Sequence, residues 1–319
     1  MIRSRPIIFL KALVLAGWLA PAAPLGAQPE MSSAAVAAAA PAESPMANAS
    51  GRDLMDAVYG RHQRYPHVYE EQSMVLVDRH GRRETRRLTL YSRLEADGSV
   101  RVLLRFTDPS ELLGMALLAT LYPDGTSKRQ VFLPALGRQL ISNNSLKGED
   151  FAITDPHFLG TDFSIENLAG ENLDHYRYER RRDVLMDQAE YYVVDAFDPG
   201  VDRATAAPLR RHFIIKEGLF ITRTDHFAAN GAVESRHTHH DLVVVNGETW
   251  RANMMLMNNL REVHQTIIKV DQRVFSPDYV PDEVFTADWI FANAPAVDEE
   301  ATEPADDAAD AAETLEVDA

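Results

Sequence analysis

Histidines supply the one metal-like spacing in this chain: His237-Thr238-His239-His240, followed by Asp241. Successive side chains of a strand point to opposite faces, so His237 and His239 stand side by side, as imidazoles do in some zinc and iron sites. His226, with Asp225, lies across an Asn230-Gly231 turn and within reach of the pair. The same residues fit a solvated cluster near a strand edge with polar neighbours. That reading is preferred, because a short motif without supporting context is often accidental. The expectation is therefore no metal and no cofactor, with His237 and His239 as the residues a metal would use.

Covalent and acid-base chemistry find less support. There is no Gly-x-Ser-x-Gly elbow, no Ser-x-x-Lys with its companion motifs and no glycine-rich phosphate loop followed by Lys. The absence of cysteine excludes thiol catalysis, a Cys-based zinc site, disulfides and a lipid anchor on an N-terminal Cys. Adjacent carboxylates such as Glu70-Glu71 would face opposite sides of a strand and read as surface charge. No enzyme is expected. Arg82-Arg83, Arg86-Arg87 and Arg180-Arg181-Arg182 are short basic spots, read either as exposed hairpin charge or as contacts for lipid headgroups or an anionic partner. Met254-Met255-Leu256-Met257 suits a surface that must accept varied apolar shapes, although core packing is the commoner role for a methionine.

The elements that position these residues are mostly strands. His80-Gly81, Asp97-Gly98, Asp124-Gly125, Glu217-Gly218, Asn230-Gly231 and Asn246-Gly247 recur as turn signals. Between them lie about eleven strand candidates, at 71–78, 86–94, 100–107, 115–122, 128–134, 190–197, 209–216, 219–228, 233–245, 248–257 and 262–270. That meander excludes an alternating βαβ chain. Val100, Val102, Leu104 and Phe106 share one strand face, opposite Arg101, Leu103 and Arg105, so one side is apolar and the other mostly wet. Helix is scarce: a capping box at Ser50 and Asp53 opens a helix to about Arg64, and a short turn over Ser164 to Leu168 is capped by Asp162 or Ser164. Two short helices cannot cover such a sheet, so its apolar face must curl around them, meet a second sheet or hold something apolar.

The ends differ in kind from the middle. Residues 1–27 read as a signal peptide: Arg3, Arg5 and Lys11 precede an apolar run from Ala12 to Ala20 that is too short to span a bilayer. Residues 28–50 are an Ala- and Pro-rich disordered tether, 51–293 the folded domain, and 294–319 an acidic disordered tail. The net charge of −16 is largely that tail, which holds ten acids and no Lys or Arg. A mildly acidic body argues against nucleic acid, whose phosphates need a basic face. Export without cysteine fits the periplasm.

Four signatures in order carry a family resemblance: Phe106-Thr107-Asp108-Pro109, Leu113 to Leu118, Val131 to Arg138 with Pro134 and Gly137, and Phe158-Leu159-Gly160-Thr161-Asp162-Phe163-Ser164 with Leu168. Over roughly 52–290 the chain resembles the exported outer membrane lipoprotein-sorting protein group with a LolA-like fold. The resemblance implies a mainly β fold with a few helices: an incomplete antiparallel β-barrel closed by helices around an apolar cavity. It also implies a carrier of lipid or lipoprotein acyl chains that makes transient membrane contact and serves an inner-membrane transporter of RND type or ABC type. A ligand-free adaptor subunit of an RND-type transporter is the alternative. On this reading Leu104, Phe106, Leu113, Met115, Leu117, Phe132, Met255 and Met257 line the cavity. Phe158, Gly160 and Phe163 belong to a mobile lid, with Trp250 and Trp289 at the rim.

Overall fold

A computed structural model describes residues 46–142, 160–201 and 207–295. Helix α1 (Gly51–His62) precedes β1 (His67–Val77), β2 (Arg83–Leu94), β3 (Val100–Asp108), β4 (Ala116–Leu121), β5 (Ser127–Phe132) and β6 (Leu140–Ser142). Helix α2 (Ile165–Ala169) leads into β7 (Arg177–Arg180), β8 (Val184–Met186), β9 (Ala189–Phe197), β10 (Arg210–Ile215) and β11 (Phe220–Phe227). Then come β12 (Val233–Val245), β13 (Thr249–Asn259), β14 (His264–Val274) and helix α3 (Ala287–Ala292).

All fourteen strands join one antiparallel sheet in the order β6-β5-β4-β3-β2-β1-β14-β13-β12-β11-β10-β9-β7, with β8 also paired to β9. The sheet does not close: β6 and β7 end the path. The eleven strands expected from the sequence are all present. The three beyond them, β6, β7 and β8, hold only 3, 4 and 3 residues, too few for alternation to show.

All six turn signals fall between paired strands, whereas β13 and β14 pair across residues 260–263 without one, and register fixes which residues share a face. Leu88 pairs with Phe106, Leu90 with Leu104, Leu104 with Leu117 and Leu117 with Val131, so one apolar row crosses β2 to β5. Met74, Leu76, Ile268 and Met257 extend it across β1, β14 and β13, and together these side chains form the largest buried cluster. Burying each such side chain contributes about 1.5–3 kcal/mol. We call this side the inner face.

Helix α1 packs on the other half of the inner face. Ser50 caps it, its Oγ accepting from the Asp53 amide at 3.2 Å while the Asp53 carboxylate accepts from the Ser50 amide at 2.9 Å. Its stripe of Leu54, Met55 and Val58 lies against Tyr192, Val194 and Ile214 of β9 and β10. Met46 and Ala49 join this cluster, and Arg180 donates to the Met46, Ala47 and Ala49 carbonyls. The outer face of β1 to β5 is covered by the chain's own return over 277–294. There Val280, Val284, Phe285 and Ile290 bury Leu103, Ala116, Leu118 and Phe132. Outside β9 to β12, buried Asp195 is shared by Arg181 and Arg211, and Asp225 by Arg223 and Arg236.

Candidate functional site

Where α1, α2 and the segment after α2 stand off the inner face, they leave a cavity of about 700 Å³. That is within the range of small-molecule sites. Strands as far apart in the sheet as β4 and β11 contribute to its wall, so the sheet curls around it. Leu90, Leu94, Val100, Leu121, Leu168 and Met255 form an apolar side.

The other side is polar, and β1 shows why. Residues 70, 72, 74 and 76 share its inner face, but the first two are Glu70 and Gln72 and only the next two are Met74 and Leu76. The row therefore passes from core to cavity floor. Glu70 accepts from Arg273 Nε at 2.5 Å and from Gln72 Nε2 at 2.5 Å, all three side chains being buried or nearly so. Arg273 also donates to Asn253 Oδ1 and the Ala252 carbonyl. Beside it Arg251, only 9% exposed, donates to the Trp250 and His62 carbonyls and lies over the Tyr65 and Phe275 rings. Burial, with Arg273 adding to it, pulls the Arg251 guanidinium down to about 10.

A strap crosses the cavity from α2 to α1. Asn172 donates to the Pro123 carbonyl at 2.7 Å, and the His175 ring occupies the space a side chain at Gly125 would need, with Gly125 at φ +84°. Arg52 of α1 binds Asp174 and the Leu173 carbonyl. Arg210 of β10 fastens Glu166 and Glu171, each at 2.6 Å. Burial pushes the Glu171 carboxyl up, but His212, Arg210 and the Tyr178 hydroxyl outweigh it and hold it well below the ordinary carboxylate range.

The histidines lie elsewhere than the sequence suggests. Instead of a solvated sheet edge, His237 and His239 occupy the inner face, their rings 4.2 Å apart between Phe163 and Phe220. Parity put them on one face; the Phe163 segment and α1, far away in sequence, make that face the inside. Burial holds His237 well below its ordinary value, His239 at about 4, and His62 and His226 at about 3. No group of three or more His, Cys, Asp or Glu able to hold a metal occurs among the described residues.

The expected cavity residues divide three ways. Met255 lines the cavity. Leu104, Phe106, Leu117 and Met257 are buried within the inner-face cluster, with Met115 packed against it. Leu113 is 39% exposed, and Phe132 is on the outer face against Phe291. The Leu117 to Val131 pairing makes Val131 the inward residue of β5 and turns Phe132 out, which corrects the expected placement. Of the expected lid, Phe158 lies outside the described residues. Gly160 has φ +75° with open space around it, while Phe163 is 0% exposed. Asp162 ties this segment down through His264 at 2.6 Å, Thr266 and Asn259. Nor are the tryptophans at the rim: Trp250 covers the Gly218 turn, and Trp289 packs on the outer face. The residues missed were Glu70, Arg251 and Arg273, whose signal was charge at inward positions of otherwise apolar strands.

A curled antiparallel sheet left open at one seam, with helices on its inner face around a cavity, defines a LolA-like half-barrel. Solved structures of other proteins share it, among them the following three. A domain described as an outer membrane lipoprotein-sorting protein from Vibrio parahaemolyticus matches at TM-score 0.64 and 19% identity, over 76% of this chain and 98% of that one. A DUF1329 family protein from Desulfovibrio piger matches at 0.62 and 19%, over 74% and 98%. A LolA superfamily protein from Nitrosomonas europaea matches at 0.55 and 15%, over 75% and 99%. No curated protein matches the sequence. The chain belongs to the family whose model, described as "Uncharacterized protein", matches residues 98–290.

Proposed function

We propose that this protein is a non-catalytic periplasmic carrier that holds an acyl chain of a lipid or lipoprotein in the inner-face cavity and passes it between membrane partners. The observation that carries the reading is a cavity of about 700 Å³ on the inner face of a half-barrel, lined in part by the apolar side chains of Met255, Leu90, Leu94, Val100, Leu121 and Leu168. Transfer of acyl chain to such a surface is favourable by about 0.8 kcal/mol per methylene, so a cavity still open to solvent balances grip against release. The shared fold of the lipoprotein-sorting domain supports the same class of cargo. No helix among the described residues is long and apolar enough to cross a membrane. Transfer to or from an inner-membrane transporter of RND or ABC type completes the proposal.

The test is titration of the full exported chain with a fluorescent fatty acid, alongside Met255→Arg. Saturable binding, weakened at least tenfold by the charge placed on the apolar wall, supports the carrier. Absence of binding, or binding indifferent to Met255→Arg, refutes it.

A further inference from the structure

We propose that the ligand is an anionic amphiphile whose single carboxylate or phosphate group seats against Arg251, while its chain runs over Met255 and Leu90 towards Leu121. This rests on the carrier reading and narrows it to a class of ligand.

The argument starts from the charge balance of the cavity floor. Two guanidiniums, Arg251 and Arg273, stand there with one carboxylate, Glu70. That carboxylate is already used: one oxygen accepts from Arg273 and the other from Gln72. Arg251 has no carboxylate within ion-pair distance among the described residues, and its donors reach only backbone carbonyls. Of the other lining charges, Arg52 is matched by Asp56 and Asp174, and Glu166 and Glu171 by Arg210, while Arg129 on β5, at the far end of the cavity, has no ion pair among the described residues.

A buried guanidinium without an anion is a costly arrangement that a fold retains where an anion arrives from outside. The geometry suits that arrival. Tyr65 and Phe275 lie together on one side of the Arg251 guanidinium, at 5.5 and 5.7 Å, and leave its charge attracted to their ring faces. Planar forked donors match carboxylate or phosphate oxygens in pairs. His62, kept neutral beside it, adds no competing charge. The apolar side of the same cavity begins at Met255, four residues along β13 from Arg251. Head and chain of one molecule therefore find their partners in one cavity.

The full chain is titrated with a fatty acid, with the methyl ester of the same chain, and with inorganic phosphate alone, for wild type, Arg251→Gln and Arg251→Lys. The proposal expects the acid to bind wild type at least tenfold tighter than the ester. Arg251→Gln should reduce that ratio to within twofold and leave ester binding unchanged, while Arg251→Lys should keep most of it. Equal affinity for acid and ester, or a preference that survives Arg251→Gln, overturns the anionic headgroup and leaves the carrier standing. Failure of both to bind overturns both readings, and binding of phosphate without either amphiphile overturns the chain. Arg251→Met guards against a folding defect: its melting temperature without ligand should equal or exceed wild type, whereas a large fall would make Arg251 a structural residue and overturn the proposal.

Discussion

The Phe163 ring stands edge-on to the His237 imidazole, their centroids 5.2 Å apart, with neither side chain more than 6% exposed. One belongs to the segment leading into α2 and the other to β12, so the contact joins the cover to the floor of the half-barrel. Phe163 is thus part of the buried inner-face cluster and not of the cavity wall.

Removing that ring should open a cavity the surroundings cannot refill. Phe163→Ala is expected to cost about 3–5 kcal/mol, read as a shift in the urea midpoint with an unchanged slope. A loss below about 1 kcal/mol would mean the segment is loosely held.

Acid should unfold the protein early. His226, His237 and His239 have folded values far below the ordinary 6.5, with Arg210, His212 and Glu171 as charged or titratable neighbours. Above pH 6.5 both folded and unfolded imidazoles are neutral and contribute nothing. Between 6.5 and about 4 the unfolded chain takes up protons that the folded chain refuses, so stability falls as pH falls. Each such histidine costs about 1.4 kcal/mol by one unit below its unfolded value. The depressed Glu171 acts in the same direction at lower pH. Denaturant melts from pH 7.5 to 5 should show stability dropping steeply, and replacing His237 with Gln should flatten the slope.

Much of this was legible in the sequence, for identifiable reasons. Asn-Gly and Asp-Gly turns bounded hairpins long enough for period-two alternation, so eleven strands were placed and Ser50 with Asp53 marked α1. What alternation cannot supply is which face a distant segment will cover. It set His237 beside His239 without revealing that both face inward, and it left Phe132 on the wrong side until the Leu117 to Val131 register was known. Helix α3 was missed because Pro277 and Pro281 break up the stretch before it, leaving six residues whose apolar side becomes visible only against Phe132 and Leu118.

Glu70 should matter for folding more than an exposed acid would. Glu70→Gln leaves Arg273 and Arg251 together without a counter-charge, and loss of one partner of a buried pair costs about 3–5 kcal/mol. A double variant, Glu70→Gln with Arg273→Met, should recover part of it. The coupling is measured by a double-mutant cycle in urea, and strict additivity would show that the pair does not act as a unit.

Gly218 should tolerate no side chain. Its φ is +97°, and an added Cβ would lie 2.5 Å from the Trp250 indole. Gly218→Ala is expected to destabilise by more than 1 kcal/mol, combining left-handed strain with displacement of the indole. Tryptophan fluorescence of the folded variant should shift; an unchanged spectrum and stability would contradict this packing.

Whether the protein carries a lipid is tested most directly by what it holds when isolated. The full chain, purified under mild conditions without detergent, is extracted and its lipids are counted by mass spectrometry against protein. The account predicts an acyl-bearing species near one per protein, with Met255→Arg purifying nearly empty. Wild-type protein without acyl species that also fails to bind added fatty acid would contradict it.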